Sequence, residues 1–193
     1  MSQMERAEAL LHEWVASESL RKHCYAVSAS MRYFAALQGA DADLWGAAGL
    51  LHDLDYERHP NLEHSPTEGH PFVAVAHLRA TGWDEAICRA ILSHAVEYSG
   101  VEPISPMEKT LYAVDELSGF VMAVALVRPS KSVHEVDVAS VRKKLKDKAF
   151  ARAVNRDDVV RGAEALGLPL DELVQQVIAA LRADAARLGL AGT

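Results

Sequence analysis

Apolar positions recur at steps of three and four along almost the whole chain, and no stretch alternates convincingly as a strand would. Leu20, Cys24, Val27, Met31 and Phe34 make one such stripe, which "GAD" at 39–41 brings to an end. A second helix opens on Asp41 or Asp43 as N-cap and runs through "LWGAAGLLHD". The following "HPNLEHSPTEGHP" is dense in proline, asparagine, serine and glycine and reads as a loop. Pro71 suits the first position of a third helix ending near Ala80. A fourth spans "GWDEAICRAILSH" with Asp84 as its cap, and Ser105, Pro106 and Glu108 open a fifth with a capping box and proline at its first turn. "RPSKS" interrupts, and three more helices are predicted near 137–154, 157–166 and 170–188. The pattern predicts an all-α fold. Residues 1–127 carry the main helical bundle, and 128–193 form a C-terminal helical extension packed on it.

Composition narrows the possibilities. The 193 residues are half apolar, enough for a proper core, and the net charge of −7 argues against a nucleic-acid partner. Cys24 and Cys88 form neither a disulfide framework nor a metal-type pair, which suits buried thiols in a cytoplasmic protein. The opening "MSQMERAEALLHEW" is charged and amphipathic and lacks the apolar core of a signal peptide. The apolar run "FVMAVALV" is too short to span a bilayer, so no membrane role is expected.

Histidine is the unusual count. Six of the nine lie between residues 52 and 94. The stretch "AAGLLHDLDYERHP" ends an apolar helix on His52-Asp53, and two more acids and a histidine follow closely. Helical spacing puts His23 on a face with Val27, Ser30 and Phe34, and His52 on one with Trp45, Ala48 and Gly49. It puts His94 at the end of a stripe of Ile87, Ala90 and Ile91, and Asp115 among Leu111, Ser118 and Met122. His70 stands at the mouth of the third helix. One inward histidine reads as a hydrogen-bonded core residue. Several titratable groups pointing into one small core are costly unless they share a partner. A metal ion is such a partner, since imidazole and carboxylate suit Mn, Fe, Zn, Ni or Co.

The order His23, His52-Asp53, His70, His94, Asp115 resembles the HD-domain superfamily, over about residues 18–125. That resemblance implies a helical, metal-dependent phosphohydrolase with one or two divalent ions (Mn, Fe, Ni, Co or Zn, with Mg possible). It implies that Asp53 bridges the two ions. His23, His52 and Asp115 would then hold one ion, and His70 and His94 the other. A metal-activated water would attack a small phosphorylated or nucleotide-like substrate. Two other classes share this ligand order: di-iron oxygenases of the HD type, resembling myo-inositol oxygenase, and a metal-binding regulatory module without turnover. Many two-metal relatives continue the dipeptide as HD-x-G-K, but here it reads His52-Asp53-Leu54-Asp55-Tyr56. With no "GYP" motif either, a cyclic-dinucleotide substrate is disfavoured.

Asp55, Glu57 and His59 follow the dipeptide closely enough to relay protons, against the plainer reading of a solvated loop. Arg128 and Lys131 open a run, to Lys148, with a local excess of four positive charges. They are expected to hold the substrate's phosphate if the chain folds back over the cleft. The run from Arg142 to Lys148 reads as a solvated face, His12 and His134 as surface residues, and His64 as part of the loop. His77 sits two turns beyond His70, about 10 Å along a helix, too far to share its ion.

Overall fold

The computed structural model describes residues 2–192. The helices are α1 (Gln3–Trp14), α2 (Glu18–Gln38), α3 (Ala42–Leu51), α4 (Phe72–Ala80), α5 (Glu85–His94), α6 (Val96–Ser99) and α7 (Pro106–Leu126). They continue as α8 (Val138–Leu145), α9 (Arg156–Leu166), α10 (Leu170–Ala183) and α11 (Ala185–Leu188). Among the described residues there is no strand, only an isolated antiparallel bridge between Ser132 and Ala191. The all-α expectation holds. Among the described residues, no helix is long and apolar enough to cross a membrane.

Local chemistry explains where most helices begin. Ser2, Ser17, Asp41, Asp84, Ser105 and Asn155 each accept a main-chain N–H of the first turn that follows. Ser105 and Glu108 form the predicted capping box, with Pro106 in the first turn. Glu108 also meets Arg89 of α5 at 3.0 Å. α3 is buried on all sides from Trp45 to Leu51, as a helix at the centre of a bundle must be. It lies against α2, and α2 in turn against α7, so these three helices carry the middle of the core. α9 and α10 pack on α7, and α10 reaches α2 as well.

Small residues set the spacing. A Cβ added at Gly49 would stand 2.7 Å from Ser28 Cα and 2.8 Å from its nitrogen, so α3 meets the α2 backbone directly. Ser28 Oγ donates to the Gly46 carbonyl at this crossing, at 2.8 Å. Ser30 and Ser118 hydroxyls pair at 2.9 Å between α2 and α7. Gly49→Ala is expected to destabilise the protein. Alanine gains about 1 kcal/mol of helix propensity, while overpacking costs about 1–3 kcal/mol. The obstructing atoms are main chain and cannot rotate away, so the clash dominates. A net loss of up to about 2 kcal/mol, at most roughly 4–8 °C in Tm, should appear in a thermal melt.

The predicted helix over 137–154 ends early, at Leu145. Arg156 explains the stop. Its guanidinium donates to the carbonyls of Leu145, Asp147, Phe150, Ala151 and Val154, so the chain between is wound around one side chain. Phe150 from this segment packs edge-on to Phe120 of α7, with centroids 5.4 Å apart. The helix expected over 170–188 is interrupted at Asp184, which separates α10 from α11.

Candidate metal centre

The α2–α3 crossing at Gly49 carries His23 and His52 to each other, Nε2 to Nε2 at 3.2 Å. α7 supplies Asp115, whose Oδ1 is 3.0 Å from His23 Nε2 and 3.3 Å from His52 Nε2. One turn further along α7 the bare backbone of Gly119 makes room for the His23 ring, since a Cβ there would stand 3.3 Å from Nδ1. Asp53 follows His52 past the end of α3 and turns its two oxygens in different directions. Oδ2 lies 3.7 Å from His23 Nε2 and 3.4 Å from His52 Nε2. Oδ1 lies 3.7 Å from His70 Nε2 and 3.7 Å from His94 Nε2. The structure thus brings His23, His52, Asp53, His70, His94 and Asp115 to one place.

Three of the four imidazoles are anchored at Nδ1. His52 donates to the Gly49 carbonyl at 2.9 Å, and His94 donates to the Ile91 carbonyl. His70 donates to Asp55 Oδ1 at 2.8 Å. A carbonyl can only accept, so Nδ1 carries the proton and Nε2 is the nitrogen left for the centre. Groups bound to one transition ion at about 2.0–2.2 Å stand roughly 3–3.5 Å apart. The separations around His23, His52 and Asp115 fall in that range, and those around Asp53 lie at or just beyond it. The residues fit a divalent cation by geometry and by donor chemistry.

Charge agrees with this arrangement. Burial alone would push the His52 imidazole down, but the carboxylates of Asp53 and Asp115 outweigh it and hold it well above its ordinary value. Burial alone would raise both carboxyls. His52, with His94 and His70, holds Asp53 well below the usual carboxylate range, and His52 with His23 does the same for Asp115. Cys24 lies close by, but burial pushes its thiol up to about 12, which leaves it a neutral core residue as expected.

The residues just beyond the dipeptide are built differently from the expected proton relay. Asp55 is sealed from solvent, with Oδ1 taken by His70 and Oδ2 accepting the Ala74 N–H of α4 at 2.7 Å. It is a positioning residue that fixes the His70 ring, and it has no open path for passing a proton outward. His59 is exposed and contributes main chain: its N–H donates to the Asp55 carbonyl at 2.7 Å and its carbonyl accepts from His70 at 2.7 Å. Glu57 turns away and accepts the Ala16 and Ser17 N–H groups.

Arg128 and Lys131 are not at the centre. Arg128 follows Asp115 by thirteen residues, which at about 1.5 Å per residue puts it about 20 Å along α7. The chain turns back there onto α7 and α10, but neither side chain is among the partners of the six residues. Lys131 is exposed in a turn closed onto Arg128, and Val133 N–H donates to the Leu190 carbonyl at 2.8 Å, which carries the segment toward the C-terminus. Of the later basic residues, Arg142 pairs with Asp171 at 3.3 Å and Lys144 lies over the Phe150 ring. His12 and His134 are exposed.

Sequence reasoning missed the aromatic lining. Tyr56 stands edge-on to His70 at 5.3 Å, and Tyr98 of α6 does so at 6.2 Å, with His64 stacked on Tyr98. The closeness of Tyr56 to the His-Asp pair in sequence was the one available signal. Nothing in the sequence pattern pairs Tyr98 or His64 with His70. Glu116, beside Asp115, was missed as well. Burial together with the Asp115 charge pushes its carboxyl up to about 8.

A helical bundle with this His, His-Asp, His, His, Asp arrangement defines a class. Residues 20–119 match the HD domain family, just over half of the chain, and the chain belongs to that family. The family is largely one of metal-dependent hydrolases. No curated protein matches the sequence.

Proposed function

We propose that this protein is a two-metal phosphohydrolase acting on a small phosphorylated or nucleotide-like substrate. The observation that carries the reading is the division of Asp53, one carboxylate oxygen toward His23 and His52 and the other toward His70 and His94. A carboxylate so placed suits a bridge between two cations. His23, His52 and Asp115 would hold one ion beside Oδ2, and His70 and His94 the other beside Oδ1. When bound, such ions supply an acidified water and positive charge opposite phosphoryl oxygens.

The rest of the work falls to the chain. The Nδ1 anchors of His52, His70 and His94 keep each Nε2 aimed inward, and Asp55 holds His70 on the side where the chain leaves α3. With Arg128 and Lys131 remote, recognition of the phosphate rests on the centre itself.

The test is metal analysis joined to a screen of phosphate esters. Turnover is expected with a divalent ion, lost on chelation and restored by adding the ion back. Chelation should also lower Tm. An ion present at 100 to 1,000 times its Kd stabilises by about 3–4 kcal/mol, roughly 6–16 °C for a chain of this size. If no phosphate ester turns over while bound iron consumes oxygen, the protein is an oxygenase. If metal binds with neither activity, it is a regulatory module.

A further inference from the structure

The aromatic side chains around His70 bear on what the centre accepts. His70 is almost fully buried, and two of the groups that cover it are the rings of Tyr56 and Tyr98. Tyr56 comes from the turn after Asp53 and is nonetheless 51% exposed, so a large apolar ring lies open beside a candidate ligand. Tyr98 comes from α6, and the exposed His64 ring lies against it, centroids 5.1 Å apart and planes within 29°. The 59–71 loop that carries His64 is pinned by Asn61, whose amide donates to the carbonyls of Ser65 and His70 and accepts from the Ser65 N–H.

Among the described residues, no lysine or arginine stands over either ring. Of the acids near the Tyr56 hydroxyl, Asp53 and Asp115 belong to the centre itself, and Glu97 stands next to Tyr98 outside it. A substrate held beside His70 meets these rings, with positive charge supplied by the ions of the centre. An aromatic face attracts a flat, uncharged group, and stacking of this kind is worth roughly ten- to hundredfold in affinity per ring.

We infer that Tyr56 and Tyr98, backed by His64, form the specificity rim of the centre and take the flat, uncharged aromatic ring of a phosphate monoester. This deepens the phosphohydrolase reading and rests on it. Tyrosines present only to shield His70 would be indifferent to what the phosphate carries, so the two roles separate by experiment.

The experiment is calorimetric binding of phenyl phosphate and of glycerol phosphate to the full-length, manganese-loaded protein. It is repeated with Tyr56→Leu, Tyr98→Leu and the corresponding phenylalanine variants, with metal content measured for each. The wild type is expected to prefer phenyl phosphate by about tenfold or more. Leucine at either position should collapse that preference while the metal stays bound, and phenylalanine should largely restore it. Equal binding of the two esters by the wild type overturns the rim and leaves the phosphohydrolase reading standing. So does a preference that survives both leucine substitutions. Binding of neither ester overturns the phosphohydrolase reading itself, and the rim with it.

Discussion

Asp53→Ala should empty both metal positions at once. In the structure Asp53 is the residue whose two oxygens face separate pairs of imidazoles, His23 with His52 and His70 with His94. A substitution at His94 or Asp115 removes a donor from one group. Loss of Asp53 removes a donor from both, along with one of the two carboxylates that balance the cationic charge. Removing a group that merely orients a ligand costs about 10–100-fold in metal affinity, and removing the shared ligand should exceed that at each position. Elemental analysis after dialysis, beside circular dichroism to show that the helices persist, checks the result. Wild-type metal content in a folded Asp53→Ala protein would contradict the bridging assignment. Loss of one ion with retention of the other would make Asp53 a ligand of a single ion.

Asp55→Ala should unfold more readily and also weaken the ion on the His70 side. The Asp55 side chain is fully buried and accepts two donors, His70 Nδ1 and the Ala74 N–H. Alanine strands both. Each buried, unsatisfied donor costs about 1–3 kcal/mol, so the loss is about 2–6 kcal/mol, measurable as a lower midpoint in urea. Asp55→Asn keeps one carbonyl oxygen for one of the donors and turns an N–H toward the other, so it should fall between alanine and wild type. Because His70 loses its anchor, metal affinity on that side should drop about 10–100-fold, read from a metal titration. An asparagine variant matching the wild type in both stability and metal affinity would remove Asp55 as the residue that holds His70.

Part of this architecture was legible beforehand. The stripe Cys24, Val27, Met31, Phe34 is buried as the spacing predicts, and Asp84 and Ser105 cap the helices they were expected to cap. The inward direction of His23 and His52 was legible too, because each shares a face with residues that prove to be core. Asp55 was not legible. From sequence it is an acid in a polar turn. Its burial depends on α4 packing over that turn and offering the Ala74 N–H.

The sequence by itself determined most of the longer helices, the caps at Asp41, Asp84 and Ser105 and the faces on which the titratable residues lie. Those properties depend on neighbours within about one turn, and the period of 3.6 residues carries them without reference to the rest of the chain. The tertiary structure decided everything that joins distant positions. It divided the oxygens of Asp53 between two groups of histidines. It sent Arg128 about 20 Å along α7, where composition alone suggested a phosphate contact. It stopped α8 at Leu145 by giving the following carbonyls to Arg156, and it brought Tyr98 and His64 to His70. Each of these turns on which helices cross and how closely. That closeness is set at contacts such as Gly49 on Ser28 and Gly119 beside His23, where the residue that matters is one with no side chain to read.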